Sequence, residues 1–88
     1  MNHHHRKVLH GIFAHPLHHN LDPRQVESVL GELGAEMKHG GHGALLVKLN
    51  GQQGSFHLGT HSVPGEEVMR LRRFLTAAGI DPQRDYPI

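Results

Sequence analysis

The sequence predicts an α+β fold: a helix, a three-stranded antiparallel sheet and a closing helix, with an extra helix at the N-terminus. Three observations predict it. Apolar residues recur at helical spacing at Val26, Val29, Leu30 and Leu33, and again at Val68, Leu71, Leu75 and Ala78. Short strand-like segments lie between these two stretches. Asn50-Gly51 separates two of the segments and is the strongest short-range signal for a hairpin with a two-residue type I′ turn. At 88 residues the chain has room for one domain with a thin core. A chain of that size buries only about 60% of its unfolded surface.

From Arg6 to Ala14, apolar Val8, Leu9, Ile12 and Phe13 fall at helical spacing. Gly11 weakens that helix by about 1 kcal/mol relative to alanine, and His15-Pro16 ends it. Seven histidines lie in the first nineteen residues. Residues 1–20 therefore read as a His-rich helical appendage, 21–80 as the domain proper, and 81–88, opening at Asp81-Pro82, as a mobile tail.

Asp22 suits a helix N-cap, Pro23 the first helical position and Gln25 the reciprocal place in a capping box. Leu21 and Val26 are spaced as a hydrophobic staple, and Gly34 as the C-terminal stop. Ala35 to His39 reads as the first strand, Gly40-Gly41 as a turn, Ala44 to Leu49 as the second strand and Gln52 to Leu58 as the third. Pairing Leu49 with Gln52 puts Leu45, Val47, Leu49, Phe56 and Leu58 on one face, which must meet the helices. The other face receives His42, Leu46, Lys48, Gln53, Ser55 and His57. A slip of one residue would exchange the faces, so the pattern supports this register. The last helix spans Gly65 to Ala78, with Glu66 and Glu67 in its first turn, Phe74 beside its apolar stripe and Gly79 as its stop.

Composition narrows the chemistry. With no cysteine there are no disulfides and no thiolate metal sites, which fits a reducing, cytoplasmic setting. The longest apolar run, Ala44 to Val47, is far short of the roughly 20 residues that span a bilayer, so no membrane partner is expected. The net charge of +1 argues only weakly for nucleic acid. The 11 histidines make the chain more positive under mild acidity.

Among candidate functional residues, His42 stands first. It follows two glycines and precedes a third, a setting in which a bulky substrate can approach the backbone. His57 lies diagonal to it in the expected register, and two imidazoles so placed could act as general base and general acid on one phosphodiester. Lys48 and Ser55 share that face and could hold phosphate oxygens. The bland alternative is a tight turn and an ordinary solvated sheet face. His15, His18 and His19 could bind a transition metal, but no convincing ligand set completes the cluster, and no metal or cofactor is expected. Arg70, Arg72 and Arg73 suit RNA phosphate or an acidic partner, and Arg70 and Arg73, on one helix face, also suit pairing with Glu66 and Glu67. No serine lies in a nucleophile elbow, and no phosphate-binding glycine loop with a lysine is present.

From Leu21 to Ile80 the order and spacing of these features resemble HicA-type toxins. Gly40-Gly41-His42 sits where that family has its Gly-Ser-His or Gly-Gly-His motif, and His61 where it often has a histidine before its last helix. Leu71-Arg72, Leu75 and Ala78-Gly79-Ile80 resemble the family's closing signature. His19 to Asp22, Val26-Glu27 and Leu33 to Ala35 resemble the entry of a longer, often solitary branch. The resemblance implies a fold like a double-stranded-RNA-binding domain, metal-independent endonuclease activity on mRNA, and a HicB antitoxin as partner. It maps the catalytic histidine to His42 and a loosely matched cation to Lys38 and His39. Register and resemblance together give Lys38, Gly40, Gly41, Lys48, Ser55 and Arg72 as expected nucleic-acid contacts, with His57 as second catalytic group. A second expectation stays open on the small net charge and on Gly43, where the family usually has a polar or basic residue. It is a catalytically weak or inactive module of the same fold that binds RNA or a protein.

Overall fold

A computed structural model describes residues 1–16 and 20–88. Its elements run α1 (His3–Phe13), α2 (Pro23–Glu32), β1 (Glu36–His39), β2 (Leu45–Leu49), β3 (Gln52–Phe56), α3 (Gly65–Ala77) and α4 (Pro82–Asp85), with a 3₁₀ turn at Gly41–Gly43. The sheet is antiparallel in the order β1-β2-β3. The predicted α+β layout is the one observed.

Helix α2 starts as its sequence dictates. The Asp22 carboxylate accepts the Arg24 N–H at 2.9 Å, and Pro23 fills the first turn. The capping box does not close, because the Gln25 side chain reaches His5 of α1 instead, Oε1 lying 3.1 Å from Nε2. Both long helices of the domain end alike. Gly34 N–H donates to the Gly31 carbonyl and Ala35 N–H to Leu30, while Gly79 N–H donates to Thr76 and Ile80 N–H to Leu75. These are the paired bonds of the Schellman motif.

The Asn50-Gly51 turn has positive φ at both residues, 49° and 83°, as a type I′ turn requires. It pairs Leu49 with Gln52, the expected register, and Leu45, Val47, Leu49 and Phe56 are buried beneath the helices. The third strand stops at Phe56 rather than Leu58. The His57 N–H is taken by the Glu67 carboxylate at 2.6 Å, which draws the chain toward α3.

Two boundaries drawn from sequence are corrected. The N-terminal helix is no appendage: Leu9 and Ile12 have no exposed surface, Val8 is buried beside them, and α1 packs on α2, α3 and α4. Burying an aliphatic side chain completely contributes about 1.5–3 kcal/mol, so these residues belong to the core. Apolar spacing alone could not show what α1 packs against. The C-terminal segment is ordered as well: Asp81 caps α4, Pro82 is buried, and the Tyr86 carbonyl lies 2.8 Å from His10 Nε2. Of the H-x-x-H-H cluster, His15 is exposed, and His18 and His19 lie outside the described residues.

Candidate functional site

Among the described residues the buried strand side chains Leu45, Val47, Leu49 and Phe56 share the side of the sheet that meets the helices, and the other side carries exposed ones. Two rows of side chains cross that open side. Lys38 pairs with Leu46 and Leu46 with Ser55, while Glu36 pairs with Lys48 and Lys48 with Gln53. These residues line a shallow groove of about 570 Å³, floored by Met37, Val47 and Gly54. Leu46 is 43% exposed in its centre, an apolar spot between two lysines. Lys48 and Ser55 share this face, as the hairpin register predicts, and the β1–β2 pairing adds Lys38 to them.

His42 stands elsewhere than expected. It does not enter β2 but forms the middle of the 3₁₀ turn, at φ 58° and ψ 31°. The Gly40 N–H donates to the Ala44 carbonyl at 2.9 Å and the Ala44 N–H to Gly41 at 3.2 Å, so residues 40–44 close as a hairpin tip. The strand begins only at Leu45. The His42 ring is exposed and has no side-chain hydrogen bond or ion pair among the described residues. Nothing stands within 4 Å of a side chain placed at Gly41, and one at Gly40 would make ordinary contact with Leu46 and Ala44. The glycine pair leaves an uncluttered approach to His42.

The β1–β2 turn and the exit from β3 lie at the same end of the sheet, so His39, His42 and His57 share that end. Lys48 lies three residues along β2 from Leu45, about 10 Å at strand rise, next to the opposite turn. It belongs to the face and not to the histidine end.

His57 is exposed, and its backbone is fixed by Glu67. Burial raises the Glu67 carboxyl, but the His57 N–H and the Arg70 guanidinium outweigh it and hold the group below the usual glutamate range. Arg70 grips Glu67 at 2.9 and 3.0 Å, donates to the Ser55 carbonyl at 2.9 Å and lies 5.1 Å from the centre of the Phe56 ring. Glu67, not Glu66, is thus its helical partner.

Arg72 is corrected. Its Nε donates to the Ile12 carbonyl at 3.0 Å and its Nη2 to Ala14 at 2.7 Å, closing the end of α1. It is directed at α1 and away from the open sheet face. Its Leu-Arg position is the same in either role, so sequence could not tell them apart.

Sequence reasoning did not find the pairing of His39 with Glu27 of α2, Nε2 to Oε1 at 2.9 Å. It joins a strand end to a helix across twelve residues, and no local spacing signals it. The pair lines a cleft of about 190 Å³ with Arg24, Gly43, Leu45, Leu58 and Gly59. Among the described residues no group of three or more histidine or carboxylate side chains is arranged to hold a metal. None of the described helices is long and apolar enough to cross a membrane.

No protein-family model matches the chain, and no curated protein or solved structure matches it either.

Proposed function

We propose that this chain is a HicA-like toxin, a metal-independent endoribonuclease that cleaves mRNA in the cytoplasm with His42 as general base. The observation that carries the reading is the backbone at His42. A left-handed conformation costs an L-residue roughly 1–2 kcal/mol that glycine escapes, and the turn is otherwise built of glycine at positions 40, 41 and 43. Within this turn histidine stands where glycine would relieve strain, and its ring has no side-chain partner among the described residues. Strain of this kind collects at functional sites.

In this mechanism a neutral His42 imidazole takes the proton of a ribose 2′-hydroxyl. The oxygen attacks the adjacent phosphorus in line, and the bond to the 5′ oxygen breaks. Proton transfer by a positioned side chain contributes typically 10²–10⁴-fold. Gly40 and Gly41 admit the backbone of the substrate. Lys38, Ser55 and, further along, Lys48 hold phosphate oxygens. A HicB-type antitoxin is the partner that this reading implies.

The test is cleavage of RNA by the full chain and by His42→Ala in the presence of a chelator. The expected result is fragments with 2′,3′-cyclic phosphate and 5′-hydroxyl ends from the wild type, and a rate at least 100-fold lower for the variant. Equal rates refute the assignment. The continuous Lys38–Leu46–Ser55 row, which does not involve His42, favours a second reading as an RNA-binding module without cleavage. A wild type that binds RNA with strong salt dependence and leaves it intact would establish that reading instead.

A further inference from the structure

His42 supplies one proton transfer, and breaking the bond to the 5′ oxygen calls for a second. We infer that His39, oriented by Glu27 in the cleft beneath the glycine turn, is the general acid that protonates the leaving 5′ oxygen. The inference rests on the ribonuclease reading above and names a further catalytic residue of the same site.

The imidazole of His39 is 78% exposed, and its Nε2 lies 2.9 Å from the Glu27 carboxylate. With Nε2 against that carboxylate, Nδ1 is left for a substrate. Glu27 fixes which edge of the ring faces outward, the role a carboxylate plays behind a proton-transferring histidine. An exposed contact of this kind contributes little to stability.

The surroundings suit a phosphodiester. Arg24 is exposed on the cleft wall with no side-chain partner among the described residues, and it can take a phosphate oxygen. Gly43, the residue after His42, forms part of the same wall, as does Gly59 from the segment leaving β3. The titratable groups facing His39 in the cleft are Glu27 and Arg24, both from α2. His39 and His42 are three residues apart, so their Cα atoms are separated by no more than about 11 Å, within reach of two sides of one phosphate. His57, by contrast, makes no ring hydrogen bond to a carboxylate among the described residues. Its contact to Glu67 is made by its backbone.

The step balances. His42 receives the 2′-hydroxyl proton, the 2′ oxygen forms a bond to phosphorus, the bond from phosphorus to the 5′ oxygen breaks, and that oxygen receives the proton from Nδ1 of His39. The products are a 2′,3′-cyclic phosphate and a 5′-hydroxyl.

A general acid is exposed by a leaving group that does not need one. The full chain, His39→Ala, Glu27→Gln and His42→Ala are compared on an RNA oligonucleotide and on the same oligonucleotide with sulfur in place of the 5′ bridging oxygen at the cleaved bond. Circular dichroism checks the fold of each variant. On ordinary RNA, His39→Ala is expected to be 100-fold or more slower than wild type, and Glu27→Gln about 10-fold slower. On the sulfur substrate both are expected to approach the wild-type rate, while His42→Ala stays slow on both. A structural role for the pair would not produce that selective rescue. If His39→Ala cleaves ordinary RNA as fast as wild type while His42→Ala is inactive, the inference is overturned and the ribonuclease reading stands. A His39→Ala defect as large on the sulfur substrate as on RNA overturns the assignment as an acid. A wild type that cleaves neither substrate overturns both.

Discussion

Glu67, in the first turn of α3, accepts the backbone N–H of His57 at 2.6 Å and so ends β3 one residue before that histidine. The same carboxylate holds Arg70, which lies over Phe56, so one ion pair links the helix start, the strand end and an aromatic ring of the core. Glu67→Gln is expected to lower stability by on the order of 1 kcal/mol, a figure held down by solvent screening of the half-exposed Arg70. The pH dependence has a definite sign. The folded carboxyl lies below the ordinary glutamate range, so its contribution is complete above that range and fades as pH falls through the folded value. Urea melts of wild type and variant across the acid range should converge at the low end. A constant gap would contradict this account.

Arg72 gives a prediction that separates structure from RNA contact. Its guanidinium closes the carbonyls of Ile12 and Ala14 at the end of α1, where positive charge also suits the helix dipole. Arg72→Ala is expected to destabilise the fold by about 1–3 kcal/mol, because two part-buried carbonyls lose their donors. Its RNA affinity and the salt dependence of that affinity should match wild type once both proteins are folded. A weakened affinity at unchanged stability would return Arg72 to the nucleic-acid surface.

What the sequence reveals and what it hides follow from the range of the interactions. The caps at Asp22, Gly34 and Gly79, the type I′ turn at Asn50-Gly51 and the pairing of Leu49 with Gln52 are set by neighbouring residues, and all were legible. The bonds joining distant elements were not: Asn50 Nδ2 to the Ala78 carbonyl at 2.9 Å, Arg72 to α1, and His39 to Glu27. The place of α1 in the core was hidden for the same reason, since an apolar face does not name what covers it. At the candidate site, the hairpin register puts Lys48 and Ser55 on one face, whereas the place of Lys38 beside them depends on the β1–β2 pairing, which no local turn signal fixes. The pattern puts His42 on the sheet face and not in a turn because glycine-flanked turns and strand starts look alike in one sequence; the positive φ distinguishes them.

Gly54 faces the core between Phe56 and Phe74, whose rings meet edge to face at 5.4 Å. A Cβ at this position would sit 2.9 Å from two atoms of the Phe56 ring and 3.2 Å from Phe74. Phe56 is 2% exposed and has nowhere to turn. Gly54→Ala is therefore expected to destabilise by about 1–3 kcal/mol through overpacking. Gly41→Ala, with open space around its position, should come within about 0.5 kcal/mol of wild type. Equal melting temperatures for the two variants would show that the aromatic pair can move aside.

His42 predicts a trade between stability and activity. Glycine accepts φ 58° without strain, although it loses more chain entropy on folding. His42→Gly should gain a net ~0.5–1 kcal/mol, and 1 kcal/mol corresponds to a rise of about 4–8 °C in Tm for a domain of this size. Cleavage should fall at least 100-fold in the same protein. Thermal denaturation beside an RNA cleavage assay reads both. A variant that melts lower than wild type would show that the imidazole supports the turn, and would remove the strain argument for its function.

The open sheet face makes a prediction about salt. Lys38 and Lys48 flank Leu46 on one side of the sheet, and Glu36 is the only acidic side chain in the two rows that cross it. If both lysines meet phosphates of a single strand, each releases close to 0.7 of a counterion on binding. Lys38→Gln with Lys48→Gln should then reduce the slope of log affinity against log salt concentration by about 1.4, whatever the RNA sequence, because phosphate contacts carry no base information. Leu46→Ala should weaken binding without altering that slope, since an apolar contact releases no ions. Anisotropy titrations of a labelled oligonucleotide at several salt concentrations separate the two effects. An unchanged slope in the double variant would mean that RNA does not lie on this face.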